Sequence, residues 1–354
     1  MRLAVVGVGL IGGSVGMAAR ARLGAEVVGF DPGDGVLEAA REVGAIDRGA
    51  GSVAAALEGA ELAVLAVPVG RLPATAAAVL AAAGEDCAVT DVGSTKRAVV
   101  DAVRDERFIG GHPLAGGASA GVGHARADLF DGATWYLTPT AGTRGTLYER
   151  LHRWIGALGA RPVALDAGTH DRMLATVSHL PHVLANVLVA QAAHAVEEES
   201  LPATGPSFRD ITRVAGANTA IWRDIYLANA DALIGALDDA VARLGAVRAA
   251  LAAGDGDAVA DWNEAAGADR RRLLEADLAG GEVAELRVSV PNRPGVVADV
   301  ALALGRAGIN IVDMALSPAP DRSTGLIALW IGPAARAAEA EALLAALGLP
   351  VARA

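Results

Sequence analysis

Along the first 165 residues, short apolar runs alternate with longer stretches whose apolar positions recur at helical spacing. Leu3–Val8, Glu26–Asp31, Leu62–Val67, Ala88–Asp91, Phe108–Gly111, Trp135–Thr138 and Pro162–Leu165 read as strands. Gly13–Arg22, Gly35–Val43, Val53–Glu58, Pro73–Ala83, Lys96–Val103 and Thr143–Leu158 read as helices. Such alternation predicts a mostly parallel sheet covered by helices on both faces, with ligands beyond the carboxyl ends of its strands. From 167 to 281 the strand signal is replaced by long Ala/Leu-rich helices, among them Leu184–Glu199, Asn229–Ala253 and Ala258–Leu278. An all-α domain is expected there, its wide apolar faces completing their burial against a second copy of the chain. Ala279-Gly280-Gly281 reads as a linker. Beyond it come a strand (Glu285–Val290), a helix to Gly308, strands Asn310–Ser317 and Gly325–Ile331, a helix (Ala335–Leu347) and a last strand from Val351. That order is the split β-α-β-β-α-β arrangement of a small ferredoxin-like α+β domain over residues 284–354.

The first twelve residues place Gly7, Gly9 and Gly12 between a strand and a helix. A dinucleotide pyrophosphate needs this order: a tight turn, a bare backbone beside the phosphates, and a helix packed close to the strand. Its charge is met by free N–H groups and the positive end of the helix dipole, so no basic side chain is required. The second strand ends at Asp31, nineteen residues after Gly12, where a carboxylate can accept the ribose hydroxyls and repel a 2′-phosphate. No Arg or Lys follows in Pro32-Gly33-Asp34, so NAD is expected over NADP. Residues 1–166 thus read as a Rossmann-type dinucleotide-binding domain, with Gly7, Gly9, Leu10, Ile11, Gly12, Asp31, Val67 and Pro68 as the cofactor-binding set.

Hydrophobic residues make up 53% of the chain and aromatics 3%, so the core rests on Ala, Val and Leu. A net charge of −11 with no basic stripe argues against nucleic acid. Cys87 is the only cysteine, which excludes an intramolecular disulfide and a cysteine metal cluster. A first strand starting at Arg2 leaves no room for a targeting peptide, and the apolar run Leu72–Ala83 is too short to span a bilayer. A cytoplasmic protein with no membrane partner is expected.

Several side chains are placed for chemistry. Ser94 and Lys96 lie in Asp91-Val92-Gly93-Ser94-Thr95-Lys96 and His112 in Gly110-Gly111-His112-Pro113, both at strand ends and so at the cleft edge. Ser94 also reads as the cap of a helix from Thr95, and His112 can alternatively be a structural loop histidine. Ser178-His179-Leu180-Pro181-His182 reads as a helix opening, with Pro181 in its first turn and the two histidines on one face. A metal pair there would need further ligands, and only His170 and Asp171 are near in sequence, so no metal is expected. Arg209 and Arg213 fall four apart on a helical face, and the apolar residues after Arg213 place its guanidinium in a partly enclosed site, suited to a bidentate carboxylate. Trp222 can wall that pocket or pack in the core.

Gly7-x-Gly9-x-x-Gly12, Asp91-Val92-Gly93-Ser94-Thr95-Lys96, Gly111-His112-Pro113-x-x-Gly116, Ser178-His179-Leu180-Pro181-His182 and Asp210-x-x-Arg213, taken together, resemble the prephenate/arogenate dehydrogenase family of tyrosine biosynthesis. Asn292-Arg293-Pro294-Gly295 and Gly308-Ile309-Asn310-Ile311 resemble an ACT domain, a regulatory module that commonly binds amino acids. The first resemblance implies NAD-dependent oxidative decarboxylation of prephenate, or of arogenate. His112 would be the catalytic histidine on the ring hydroxyl and Ser94 the serine that orients it. His179 and His182 would lie near the substrate, and Arg213 would hold the side-chain carboxylate. The second resemblance implies feedback by an amino acid, tyrosine, at Asn292, Pro294, Gly295 and Asn310, and the helical domain implies a homodimer. Where the family often has polar residues after the His-Pro motif, Gly117-Ala118-Ser119-Ala120 offers only Ser119. A β-hydroxyacid or imine-reductase-type dehydrogenase would use a lysine on the helical domain, and none occurs between Ala167 and Ala279. A non-catalytic NAD and amino-acid sensor would leave Ser94, His112 and Arg213 without a purpose.

Overall fold

The first strand, β1 (Arg2–Val6), sends Leu3 and Val5 into one apolar layer and Ala4 and Val6 into another, as an interior strand of a doubly covered sheet must. The computed structural model describes the chain apart from residues 117–118, 200–203, 278–282, 294–295, 320–322 and 354. β1 is followed by α1 (Leu10–Leu23), β2 (Glu26–Phe30), α2 (Val36–Glu42), β3 (Arg48–Gly49), α3 (Val53–Leu57), β4 (Leu62–Leu65) and α4 (Leu72–Ala82). Then come β5 (Ala88–Asp91), α5 (Arg97–Ala102), β6 (Phe108–Pro113), β7 (Thr134–Thr138), α6 (Gly145–Ala157) and β8 (Arg161–Ala164). These strands form one sheet in the order β3-β2-β1-β4-β5-β6-β7-β8. β1 to β6 are parallel, the Rossmann-type arrangement that the alternation predicts, whereas β7 is antiparallel to β6 and β8 parallel to β7.

Three local differences from the sequence reading have physical causes. β1 stops at Val6 because Gly7 turns the chain at φ +91°, and α1 starts at Leu10, three residues before the predicted Gly13. β3 is two exposed residues long and carries no apolar signal to read. β6 continues past Gly111 through His112 to Pro113 because β7 pairs with it there.

The helical stretch begins with α7 (Ala167–Leu174), a π-helical turn (Ala175–His179) and α8 (Leu180–Glu199), one continuous run. Ser178 to His182 therefore lie inside a helix, and Pro181 is not in the first turn of a new one. Proline at 181 brings no N–H to the Val177 carbonyl four residues back, and the wider π turn falls at this point. By length and composition the run Ala167–Ala195 is apolar enough to cross a membrane, with a mean hydropathy of 1.5, which the shorter stretch Leu72–Ala83 is not. Next come α9 (Pro206–Thr212), α10 (Thr219–Ala228), α11 (Ala230–Ala253) and α12 (Gly256–Asp277). Val187, Ile221, Leu227 and Ile234 remain exposed on α8, α10 and α11.

By packing, the described chain divides into two compact units, Met1–Ser200 with Thr212–Ala240, and Leu201–Ile211 with Val241–Ala354. The helices expected to stand as one domain are thus shared between the two. In the second unit, β9 (Ala284–Pro291), α13 (Val296–Arg306), β10 (Asn310–Pro318), β11 (Thr324–Gly332), α14 (Ala337–Ala346) and β12 (Val351–Arg353) follow α12. Their antiparallel sheet, ordered β10-β11-β9-β12, is the expected ferredoxin-like arrangement. Leu286, Val288, Ile327, Leu329 and Ile331 pack against Val300, Leu304 and Leu344 of α13 and α14. On the opposite sheet face the Trp330 ring is covered by the Arg270 guanidinium of α12, 3.9 Å from its centroid.

Candidate active site

At the carboxyl end of β1 the backbone at Gly7 and Gly12 leaves no room for a side chain. A Cβ on Gly7 would sit 2.5 Å from the Ala66 carbonyl oxygen, and one on Gly12 would sit 2.0 Å from that of Gly7. Gly9 is different: nothing lies within 4 Å of the position its Cβ would take. α1 starts there with no side-chain cap and no acidic residue in its first turn, which leaves the N–H groups of Leu10, Ile11 and Gly12 for an anion. Asp31, just past β2, accepts the Val8 N–H at 2.8 Å on Oδ2 and the Gly33 N–H at 2.8 Å on Oδ1. Those bonds fix the carboxylate beside the turn, and its remaining lone pairs can take ribose hydroxyls. Val67, half-buried, lines the same turn from β4, and Pro68 is exposed after it. Asp224 of α10 packs over Gly70 in the 3₁₀ turn that follows (Val69–Arg71), which seats α10 against this loop. The chain's own groups fit a dinucleotide.

His112 is a strand residue, opposite Tyr136 of β7 and buried. Its backbone is held by an ion pair. The β5–β6 ladder pairs only Val89 with Phe108 and Thr90 with Ile109. Beyond it, Asp91 Oδ1 accepts the Gly111 N–H at 3.0 Å, and the Lys96 ammonium donates to the Gly111 carbonyl at 2.7 Å and to Asp91 Oδ2. Lys96, the only lysine of the chain, is fully buried, not at the cleft edge where its place in the motif put it. Burial pulls its ammonium below the ordinary lysine value against the opposing pull of Asp91. Gly111 tolerates no side chain here, since a Cβ would meet the Asp91 carbonyl oxygen at 2.5 Å.

Ser94 is half-buried and has no side-chain hydrogen bond among the described residues. It does not cap α5, which begins at Arg97. The cap comes from α7: Asp171 accepts the Lys96 N–H at 2.7 Å on Oδ1 and the Arg97 N–H at 2.9 Å on Oδ2. The same Oδ1 meets His170 Nδ1 at 2.8 Å, and His170 Nε2 lies 2.9 Å from His112 Nδ1. His112, His170 and Asp171 are all buried. Burial would raise the Asp171 carboxyl, but the bonds from His170, Arg97 and Lys96 prevail and hold it below its ordinary value. The His112 imidazole is driven well below its ordinary value by burial first, then by His170, Lys96 and His179. It is neutral at physiological pH.

His179, on the inner side of the π turn, is fully buried. Its Nδ1 lies 3.2 Å from Asn229 Nδ2, which also donates to the Asp171 carbonyl at 2.7 Å. His179 Nε2 has no partner among the described residues. Burial lowers this imidazole to about 4, with Asp171 opposing and His170 and His182 adding to the shift. The Trp222 ring of α10 lies edge-on to His179, at 6.1 Å, and stacks on half-buried His182 at 3.5 Å. His182 is lowered by burial, partly offset by a hydrogen bond to the Val214 backbone, and lowered further by the Arg213 charge. Arg213 itself follows the end of α9, so it shares no helical face with Arg209, and it is exposed where a partly enclosed position was expected. One short loop carries it, tied to α8 by the Gly216 N–H donated to Asn186 Oδ1 at 3.0 Å. The structure thus links His112 through His170 and Asp171 to His179, Trp222, His182 and the Arg213 loop. Sequence reasoning missed His170 and Asp171 except as spare metal ligands, and missed Asn229. The adjacent His-Asp pair nine residues before His179 was the available signal.

Of the residues expected to form a regulatory site, Asn292 and Asn310 do not meet within one copy. Asn292 is exposed beyond β9, where Pro291 pairs with Thr324, and Asn310 opens β10 opposite Gly332. These are opposite ends of β11, about 25 Å apart at ~3.3 Å per residue. Pro294 and Gly295 lie outside the described residues, as do Gly117 and Ala118; Ser119 is exposed.

Residues 15–164 match the family described as prephenate dehydrogenase, nucleotide-binding domain, residues 166–264 the prephenate dehydrogenase dimerization domain, and residues 284–331 the ACT domain. The chain is 32% identical to the prephenate dehydrogenase of Bacillus subtilis (strain 168) over 336 residues, 91% of this chain and 90% of that one. It is 34% identical to the cyclohexadienyl dehydrogenase of Zymomonas mobilis over 263 residues, 72% of this chain and 90% of that one. The solved prephenate dehydrogenase of A. aeolicus in complex with hydroxyphenyl propionate and NAD+ superposes with a TM-score of 0.72 at 27% identity, covering 77% of this chain and 98% of that one. Synechocystis arogenate dehydrogenase gives 0.69 at 27% identity, covering 77% and 100%. With a glycine cradle for NAD, a neutral buried imidazole at the strand ends, and matches of this length, the chain belongs to the prephenate dehydrogenase family and is an NAD-dependent dehydrogenase.

Proposed function

We propose that this chain converts prephenate to 4-hydroxyphenylpyruvate by NAD-dependent oxidative decarboxylation, the step that commits a cyclohexadienol to tyrosine. The observation that supports this most is the buried, neutral His112 on β6, in the row of strand ends that also carries the dinucleotide cradle. Bound NAD would supply the hydride acceptor. His112 takes the proton of the ring hydroxyl, Ser94 has its hydroxyl free to orient that group, and loss of the ring carboxylate as carbon dioxide leaves an aromatic product. His179 offers a buried nitrogen without a partner among the described residues, His182 and Trp222 wall the ring site, and Arg213 holds the side-chain carboxylate. The groups gathered at that end are a cation and neutral imidazoles, which suit a keto acid better than an ammonium. NADH formation at 340 nm with prephenate and with arogenate tests the reading. Turnover of prephenate with the higher kcat/KM is expected, and turnover of arogenate alone would overturn the assignment.

The domain assignment follows: 1–166 for the cofactor, 167–281 for substrate and dimerisation, 284–354 for regulation. The exposed apolar side chains of α8, α10 and α11 support a homodimer through the helices. We assign to the C-terminal domain feedback by tyrosine. Because Asn292 and Asn310 sit at opposite ends of the sheet, a site using both needs two copies of that domain. Loss of tyrosine inhibition on deleting 284–354 is expected, and intact inhibition would place the effector elsewhere.

A further inference from the structure

The buried groups His170 and Asp171 occupy the space directly behind His112. We propose that they are positioning residues: an Asp171–His170–His112 chain sets the tautomer of the base, placing its proton on Nδ1 and its lone pair on Nε2. The inference rests on His112 being the base.

With His170 neutral the hydrogen bonds leave one assignment, and a proton on His170 Nε2 would reverse it. A carboxylate can only accept, so at 2.8 Å His170 Nδ1 must carry the proton it gives to Asp171 Oδ1. A neutral His170 then has only a lone pair on Nε2. At 2.9 Å from it, His112 Nδ1 must be the donor. The Nε2 of His112 is left as an acceptor with no partner among the described residues, which is what a base facing a substrate hydroxyl requires. The carboxylate cannot swing away, because its two oxygens also receive the Lys96 and Arg97 N–H groups from the start of α5. The imidazole–imidazole contact is edge-on, with centroids 5.1 Å apart, and Tyr136 lies edge-on to His170 at 5.7 Å. The ring pair therefore has little room to rotate. The titratable or charged groups around His112 are His170 and Asp171 from α7, Lys96 before α5, and His179 from the π turn, with Tyr136 across β7. Of these only the Asp171 carboxylate is negative; the Asp91 carboxylate next to Lys96 is spent on that ammonium. When the hydroxyl proton arrives on Nε2, the Nδ1–H bond stays in place, and the negative charge of Asp171, passed on through the His170 Nδ1–H, offsets the new imidazolium. No proton has to leave the buried chain.

The assignment is read by two measurements on the full-length protein. ¹⁵N NMR of histidine-labelled resting enzyme distinguishes Nδ1–H from Nε2–H imidazole, with the His112 signals identified by their absence in His112→Asn. His112 is expected as the Nδ1–H tautomer in the native protein and as a mixture or the Nε2–H form in His170→Phe, which fills the space without an acceptor. In kinetics, His170→Phe is expected to lower kcat about 10- to 100-fold with both KM values within about threefold, whereas His170→Gln, whose side-chain oxygen can accept the Nδ1–H, recovers part of that loss. A native Nε2–H tautomer, or His170→Phe with an unchanged tautomer and unchanged kcat, would overturn the proposal. If His170→Phe does not fold, the native tautomer and His170→Gln still decide it. The NMR result does not depend on substrate, so failure to oxidise prephenate or arogenate would refute the functional reading and leave this one standing or falling separately.

Discussion

At the scale of single residues, the site depends on an imidazole kept neutral by its surroundings. His112→Asn removes the acceptor, and a positioned base is typically worth ~10²–10⁴ in rate, so kcat should fall by about that factor with KM little changed. Steady-state rates check it; a kcat within threefold of the native enzyme would remove His112 from the mechanism. Because burial and neighbouring positive charge push the His112 imidazole well down, its acid limb should not appear near the ordinary histidine value of ~6.5. kcat/KM is expected to stay level through that pH and to fall only in more acidic solution. Arg213 is exposed, so its contribution is to binding: Arg213→Ala should raise the substrate KM by the loss of a charge-assisted bond, about 1.5–3 kcal/mol, with a smaller effect on kcat.

Elements contribute by holding those residues where the regular ladder gives out. β5 and β6 part after Ile109, and the Asp91–Lys96 pair replaces the missing strand bonds by seizing both the N–H and the C=O of Gly111. Both charges are fully buried, so removing one leaves the other uncompensated. Lys96→Met should cost about 3–5 kcal/mol of stability in denaturant unfolding, and Asp91→Asn in the same chain should restore part of it. The π turn acts on the second element. It falls just before Pro181, faces His179 inward, and keeps α7 and α8 one run, so that Asp171 reaches the start of α5 while His182 reaches Trp222.

For the molecule as a whole, burying histidines in neutral form ties stability to pH. His179 titrates at about 4 in the folded chain and near ~6.5 unfolded. Between those values the unfolded state binds the extra proton, so stability present above pH 6.5 is lost as the pH falls toward 4, by on the order of 3 kcal/mol. Unfolding free energies at pH 7 and pH 4.5 should show that loss, and a smaller one in His179→Gln. The other whole-molecule feature is apolar surface left over on the helices. Leu227 of α10 is 72% exposed, more than Val187, Ile221 or Ile234. Leu227→Glu should shift light-scattering mass from dimer toward monomer; a native monomer would remove the dimer from the proposal.

The glycine turn, Asp31 and the alternating core were legible in the sequence because they are local: period-two burial, a strand-to-helix turn, and a carboxylate at a strand end need only neighbours along the chain. The two resemblances likewise drew on short contiguous motifs. What the sequence could not carry were pairings across long separations. Lys96 reads as a cleft residue until its ammonium is seen closing the gap at Gly111, fifteen residues on. Ser94 reads as a cap until a carboxylate seventy-five residues beyond Lys96 takes that place. The direction of β7, the meeting of His170 with His112, the exposure of Arg213, and the separation of Asn292 from Asn310 all follow from how the elements pack. Periodicity and motif spacing decided which elements form and what chemistry they carry, whereas hydrogen-bond partners, charge state and enclosure were decided only when burial brought distant groups together.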